Sequence, residues 1–310
     1  MTDARACGAD DVAGLLYTGE RLKRPGFLMT DNIMNGRLRI LFTGASSFTG
    51  FWFVRRLAQA GHQVYATFRR SLAEYKGIRG VRVREVLQYC QPIWRCAFGT
   101  AEFMDVLAGQ QEWDVLCHHA AECENYKSLD FSIEQALVRN TNNLRAVLEA
   151  LISKGLRRVV LTGTVFEADE GAGTAPLRAV SPYGVSKTLT WHVVRFWCEY
   201  LGLQLGKFVI PTPFGPYEDE NRFSAYLCRS WLRGEEPVIK TPLYVRDYVH
   251  VQALGDAYVG FVEGLDPEAR LSRMNPSGYV EPLWAFAQRL ASEMRPRFDR
   301  ACSFRCLNQT

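Results

Sequence analysis

A short apolar strand that runs into a turn of small residues and out into an apolar helix constrains this chain more than any other feature. Residues 39–50 read Arg-Ile-Leu-Phe-Thr-Gly-Ala-Ser-Ser-Phe-Thr-Gly, and apolar residues at helical spacing follow over 51–60. The layout suits a phosphate cradle for a dinucleotide. Gly44 permits the tight turn, Gly50 lets the helix pack close to the sheet, and the helix start turns N–H groups toward an anion. Ser47 stands where the usual pattern has its middle glycine, so the turn also reads as a plain tight βα connection.

From Arg39 onward, short apolar runs alternate with helical patterns, which predicts an α/β fold with a parallel sheet covered on both faces. Strands are expected over 39–43, 63–68, 81–86, 113–118, 158–162 and 205–210; the β-branched run at 158–162 suits a strand buried on both faces. Residues 87–100 fit neither period. Helices are expected over 102–107, 132–154 and 182–201. After Pro211 the alternation loosens around Pro213 and Pro216. Helices are expected there over 222–233, 252–263 and 281–294, with an extended stretch at 244–251. The organisation read from this is a flexible extension or docking arm over 1–35, a sheet domain over 36–211, and a smaller lobe over 212–310 that closes over a ligand, with room for elements that return to the first domain.

Composition excludes several classes. With 310 residues, 47% of them hydrophobic, the chain can bury a large core. A net charge of +4 without any dense basic block argues against nucleic acid as a partner. No apolar run reaches the roughly 18 residues a membrane span needs, and no secretory signal pattern opens the chain. The nine cysteines form no CxxC pair and no zinc-finger spacing with histidine. An odd number of thiols without a signal points to a reduced, cytoplasmic protein.

Tyr183 and Lys187 stand four apart on an expected helix, so both project from one face. A nearby ammonium favours the phenolate and lowers a tyrosine pKa toward the range useful for proton transfer. Thr162, ending a strand, can share a substrate oxygen with Tyr183. The alternative reading of the pair is an amphipathic helix with one aromatic and one solvated lysine. His118 and His119 are adjacent at a strand end and point opposite ways, so they are read as packing residues and not as ligands to one ion. Trp191, His192, Phe196, Trp197 and Tyr200 read as helix packing or a subunit face.

Together these motifs resemble the extended short-chain dehydrogenase/reductase superfamily, in its nucleotide-sugar epimerase/dehydratase branch. Residues 43–50 are similar to TGxxGFxG, and His118-His119-Ala120-Ala121 to HLAA. Thr162-Gly163-Thr164-Val165-Phe166 is similar to S/T-x-x-V-Y, and Ser181 to Lys187 to SPYxxSK. Residues 212–216 resemble N-x-x-G-P, and 245–251 resemble RDYIHV. The resemblance, which covers about 38–259, implies a Rossmann-like doubly wound parallel sheet with a smaller C-terminal substrate-binding lobe. It implies Tyr183 as catalytic acid/base, Lys187 as its partner and ribose ligand, and Thr162 as the substrate-positioning hydroxyl. Cofactor contacts fall on Gly44, Ser46, Ser47, Phe48, Thr49, Gly50, Ala120, Ala121 and Pro211, and on Asn140, which lies one turn after Leu137, the residue that aligns with the family's helix asparagine. Substrate contacts fall on Thr164, Thr212 and Arg246, the last suited to a phosphate. A homodimer is implied by the resemblance alone.

Departures sharpen the reading. After the second strand come Arg69 and Arg70 where an NAD-preferring member has an acid, so NADP is favoured over NAD. The aspartate that contacts adenine is not evident. Thr212 replaces the usual asparagine. The Asp-Glu pair that follows the catalytic threonine in 4,6-dehydratases is Gly163-Thr164 here, which disfavours dehydration and leaves epimerisation through a keto intermediate ahead of one-way reduction of a ketosugar by NADPH. A non-catalytic dinucleotide sensor or scaffold is the reading from a different class.

Overall fold

The computed structural model describes residues 36–171, 174–266 and 268–309; the extension expected over 1–35 lies outside them. In chain order the elements are β1 (Arg39–Thr43), α1 (Phe48–Gln59), β2 (Gln63–Thr67), α2 (Gly77–Val86), β3 (Gln91–Ile93), α3 (Ala101–Ala108), β4 (Val115–His118), α4 (Ile133–Asn140), α5 (Leu144–Ser153), β5 (Arg158–Thr164) and α6 (Pro182–Tyr200). There follow β6 (Gln204–Ile210), β7 (Thr212–Phe214), α7 (Phe223–Leu232), β8 (Val238–Ile239), β9 (Val245–His250), α8 (Val251–Glu263), β10 (Leu271–Met274), β11 (Tyr279–Pro282), α9 (Leu283–Phe298) and β12 (Arg305–Cys306).

Two compact units form. The larger comprises Gly36–Pro211 and Gln252–Pro276. Its sheet runs β10-β6-β5-β4-β1-β2-β3, with every neighbouring pair parallel. The centre is dry because Ile40, Leu41 and Phe42 of β1, with Val159, Val160 and Leu161 of β5, are all buried. Strand order reverses between β1 and β4, so a crevice opens beyond their carboxyl ends, the place where ligands of such sheets bind. From α8, Tyr258 stacks on Phe53 of α1 with ring centroids 4.0 Å apart and meets Phe208 of β6 edge-on.

The smaller unit comprises Thr212–Val251 with residues 277–309. It holds a three-stranded sheet, β11-β9-β7, and the parallel pair β12-β8. Its core gathers Leu227, Trp231, Tyr248, Phe286 and Met294, with Tyr248 and Phe286 stacked at 3.7 Å.

Two expectations need correction. Residues 81–86 are helical, within α2, and the third strand is β3. Val81 and Val83 alternate as a strand would, but Gly80, Val83 and Val86 are buried at helical spacing. Pro92 hid the true strand; it is tolerated because among the described residues β3 is an edge strand that pairs with β2 alone. The single helix expected over 132–154 is two, α4 and α5, with Asn143 in the left-handed region between them at φ 48°. Asn143 Nδ2 donates to the distant Gly99 carbonyl at 2.7 Å, and asparagine tolerates the left-handed region that breaks the helix there.

Candidate active site

The turn from β1 to α1 is built by its own side chains. Ser47 caps α1, its Oγ accepting from the Gly50 amide at 3.0 Å. Gly50 has no room for more: a Cβ there would lie 2.3 Å from the Gly44 carbonyl oxygen. Gly44 has φ +88°, and a Cβ on it would lie 2.8 Å from the Ala120 nitrogen. The turn is thereby clamped against the segment after β4. Thr43 Oγ1 completes the clamp, accepting from the amides of His119 at 3.1 Å and Ala120 at 3.0 Å. The positive end of the α1 dipole is left facing the crevice, and this cradle fits an anion such as a pyrophosphate.

The expected cofactor residues are arranged unequally around it. Phe48 and Thr49 are buried, and Thr49 Oγ1 turns inward, 3.2 Å from His119 Nε2. The Ser46 carbonyl accepts from the buried Arg82 at 3.2 Å. Ala120 and Ala121 are half-buried at the end of β4, and Pro211 is buried just after β6. Asn140 is only 2% exposed. Its Oδ1 accepts from the Glu122 amide at 2.7 Å and its Nδ2 donates to Thr190 at 3.2 Å. It pins the loop beside Ala121 and has its side chain engaged within the protein. Arg69 and Arg70 are exposed after β2. Arg69 lies 3.9 Å from Glu122, which Arg139 holds at 2.6 Å. Against the cost of burial, the Glu124 amide and these arginines keep the Glu122 carboxyl below its ordinary range.

Lys187 of α6 reaches Thr162 of β5, and Tyr183 stands one turn earlier on the same helix. Ser181 caps α6, with Pro182 in the first turn. One turn on, buried Lys187 donates from Nζ to the Thr162 carbonyl at 2.7 Å. Tyr183 is flanked edge-on by Tyr126 at 5.6 Å and Phe131 at 5.8 Å. The expected lowering of its pKa is not what this environment gives: burial pushes the Tyr183 phenol well up, with Cys123, Glu167 and Tyr126 adding to it. Burial also lowers Lys187, opposed by Glu167.

The acids after Thr164, Glu167 and Glu170, have buried and paired side chains. Glu167 is 1% and Glu170 5% exposed, and Lys207 of β6 sits between them, 2.6 Å from Glu167 and 2.8 Å from Glu170. Glu167 also accepts from the Thr164 amide at 2.8 Å. Glu170 is bound by Arg273 and, at 3.0 Å, by Asn275. Gly163 lies directly against this pair; a Cβ there would be 2.8 Å from Lys207 Cε and 3.0 Å from Glu167 Oε1.

The rings of His118 and His119 bond different groups. His118 Nδ1 is 3.1 Å from Thr43 Oγ1 and its Nε2 2.9 Å from the Asn140 carbonyl. His119 reaches Ser47 at 3.0 Å and Thr162 at 3.0 Å, beyond the packing role its sequence position suggested. Desolvation lowers His118 to about 4 and His119 to about 3, so both are neutral. The two remaining sequence candidates belong to the smaller unit. Thr212 of β7 pairs with Tyr248 of β9. Arg246 of β9 is paired across the sheet with Glu281, its guanidinium 4.7 Å over the Tyr244 ring. No described helix is long and apolar enough to cross a membrane.

Comparison with known proteins agrees with this layout. The chain is 26% identical over 243 residues to a UDP-glucose 4-epimerase of Azospirillum brasilense, covering 71% of this chain and 67% of that one. It is 27% identical over 225 residues to a dTDP-glucose 4,6-dehydratase of Mycobacterium tuberculosis, covering 69% and 65%. It thus spans about two thirds of the length of these curated relatives. The solved UDP-glucuronic acid 4-epimerase of Bacillus cereus, in complex with UDP-glucuronic acid and NAD, shares the fold at a TM-score of 0.68 and 18% identity, over 88% of this chain and 87% of that one. Residues 40–270 match the family described as "NAD dependent epimerase/dehydratase", and with most of its length inside that match the chain belongs to this family.

Proposed function

We propose that this chain is a nucleotide-sugar 4-epimerase that works through a keto intermediate. The observation that carries the reading is the Lys187 ammonium on the Thr162 carbonyl of β5, with Tyr183 one turn before Lys187 on α6. Gly44, Ser47 and Gly50 would hold the dinucleotide pyrophosphate, and Lys187 its nicotinamide ribose. Bound there, the nicotinamide supplies the place where a hydride is left and from which it is returned. As the phenolate, which the positive charge of a bound oxidised nicotinamide would favour against the cost of burial, Tyr183 Oη would take the proton of the sugar hydroxyl and give it back when the ketone is reduced on its other face. Thr162 Oγ1 holds that same oxygen, and Arg246 is assigned to a substrate phosphate.

Epimerisation is favoured over 4,6-dehydration because water removal needs a second acid and base beside the threonine. Position 163 offers no side chain, and the nearest acid, Glu167, is consumed by Lys207 and the Thr164 amide. Arg69 and Arg70 after β2 favour NADP, since guanidinium groups there suit a 2′-phosphate. The smaller unit is assigned to the substrate, and a homodimer is expected from the resemblance.

Product analysis tests this directly. With UDP-glucose or dTDP-glucose and catalytic NADP or NAD, we expect the 4-epimer to accumulate without net cofactor consumption. Sustained NADPH oxidation would mean a ketosugar reductase, and a 4-keto-6-deoxy product a dehydratase. Biochemical activity unchanged in Tyr183→Phe would mean a dinucleotide sensor or scaffold.

A further inference from the structure

We propose that His119 is a positioning residue that ties the Thr162 hydroxyl to the N-terminus of α1. Through one imidazole, the anion-holding end of the site would set the hydrogen-bonding direction at its proton-handling end. The inference rests on the functional reading above for the role of Thr162, and on geometry for the rest.

His119 Nε2 lies 3.0 Å from Ser47 Oγ and 3.2 Å from Thr49 Oγ1, while Nδ1 lies 3.0 Å from Thr162 Oγ1. The ring cannot turn freely. Phe42 is 5.6 Å and Phe53 5.3 Å from it, centroid to centroid, and its Cδ2 sits 3.1 Å from where a Gly44 Cβ would be. A neutral imidazole carries one N–H, so it donates at one nitrogen and accepts at the other.

Ser47 Oγ accepts from the Gly50 amide, and its O–H, with His119 Nε2 at 3.0 Å as the acceptor at hand, is assigned to donate there. The ring proton then belongs on Nδ1, donating to Thr162 Oγ1. Thr162 keeps its O–H free of the ring and can donate it to a substrate oxygen, which a developing alkoxide or a ketone requires. The opposite tautomer would take the Thr162 proton and leave that hydroxyl an acceptor only. A leucine, which the motif HLAA carries at this position, would fill similar space and make none of these bonds. His119→Leu is therefore the informative substitution.

The test compares wild type, His119→Leu, Thr162→Ala and the double variant, with NAD affinity from calorimetry and kcat and KM for UDP-glucose. His119→Leu is expected to lower kcat about tenfold, the loss of one oriented hydrogen bond. Its Kd for NAD should move less than about threefold. In a Thr162→Ala background the same change should cost almost nothing further, because the ring acts through that hydroxyl. Additive losses, or a loss of NAD affinity as large as the loss in kcat, would overturn the proposal. Buried Tyr258 is a second group whose phenol interacts electrostatically with Thr162. If Tyr258→Phe, and not His119→Leu, shows the non-additivity, the role belongs to that tyrosine.

A nitrogen NMR spectrum of the His119 ring gives a readout independent of turnover. The Nδ1–H tautomer is expected, with its Nδ1 resonance shifting in Thr162→Ala. An Nε2–H tautomer overturns the inference even where the enzyme is active. If no sugar nucleotide turns over, the functional reading fails while the spectrum still decides this one.

Discussion

Removing the Lys207 ammonium probes the site from beneath. Its side chain is 4% exposed and lies between two carboxylates, with Nζ 4.7 Å over the Trp191 ring. Glu167 and Glu170 are balanced by Lys207 and Arg273, so the cluster is neutral as built. Lys207→Met keeps the length of the stem but leaves the Glu167 carboxylate buried on the Thr164 amide without the ammonium. Breaking a buried pair by removing one member costs about 3–5 kcal/mol, against a total stability of about 5–15 kcal/mol. Lys207→Met/Glu167→Gln restores neutrality and keeps an acceptor for Thr164, so it should recover more than half of that loss. Urea unfolding followed by fluorescence gives both values. A loss under about 1 kcal/mol in the single variant, or a double variant no better than the single, would refute the reasoning. In that case Glu167 would not be held by the pair, and the argument against dehydration would lose its support.

Other consequences are checked as directly. Gly50→Ala puts a methyl 2.3 Å from the Gly44 carbonyl, where backbone must move. It should cost about 1–3 kcal/mol or more and weaken dinucleotide binding at least tenfold by calorimetry; wild-type values for both would contradict the cradle. In the smaller unit, burial raises Glu218 from its ordinary 4.5 to about 7, opposed by Ser224 and Arg222. The folded state then holds a proton that the unfolded chain releases above 4.5. Stability is present in full below that value and falls as pH rises toward 7. Glu218→Gln should flatten this decline, by up to about 3 kcal/mol between urea midpoints taken at pH 5 and pH 8; parallel curves would contradict it. Arg69→Ala/Arg70→Ala should weaken NADP at least tenfold while changing NAD less than about threefold. Equal effects on both would remove the case for NADP.

What the sequence made legible was local. The β1 turn, β5 and α6 are each coded within a dozen or so residues by apolar runs, a serine cap and small-residue spacing. Their strand-end placement follows from the parallel alternation. Errors arose where two periods competed, as in 81–86, or where distant backbone settled the outcome, as when Gly99 captured Asn143. β10 escaped notice because its four residues form a strand only by pairing with β6. Glu167 and Lys207 are 40 positions apart, and nothing local marks them as partners. In sequence His119 reads only as one of two adjacent strand-end histidines. Its bonds to Ser47 and Thr162 come from three different strand ends, an arrangement that exists only after folding. The environment of Tyr183 shows the same limit: spacing names its lysine partner, but burial dominates its pKa.

The most direct test follows the hydrogen at the sugar carbon. UDP-glucose deuterated at C4 is incubated with the protein and its preferred dinucleotide, and the product is read by NMR beside Tyr183→Phe. The account predicts UDP-galactose with deuterium retained at C4, and a loss of at least about a thousandfold in Tyr183→Phe. Epimer with deuterium washed out to solvent, or wild-type turnover in Tyr183→Phe, would contradict hydride transfer at this site.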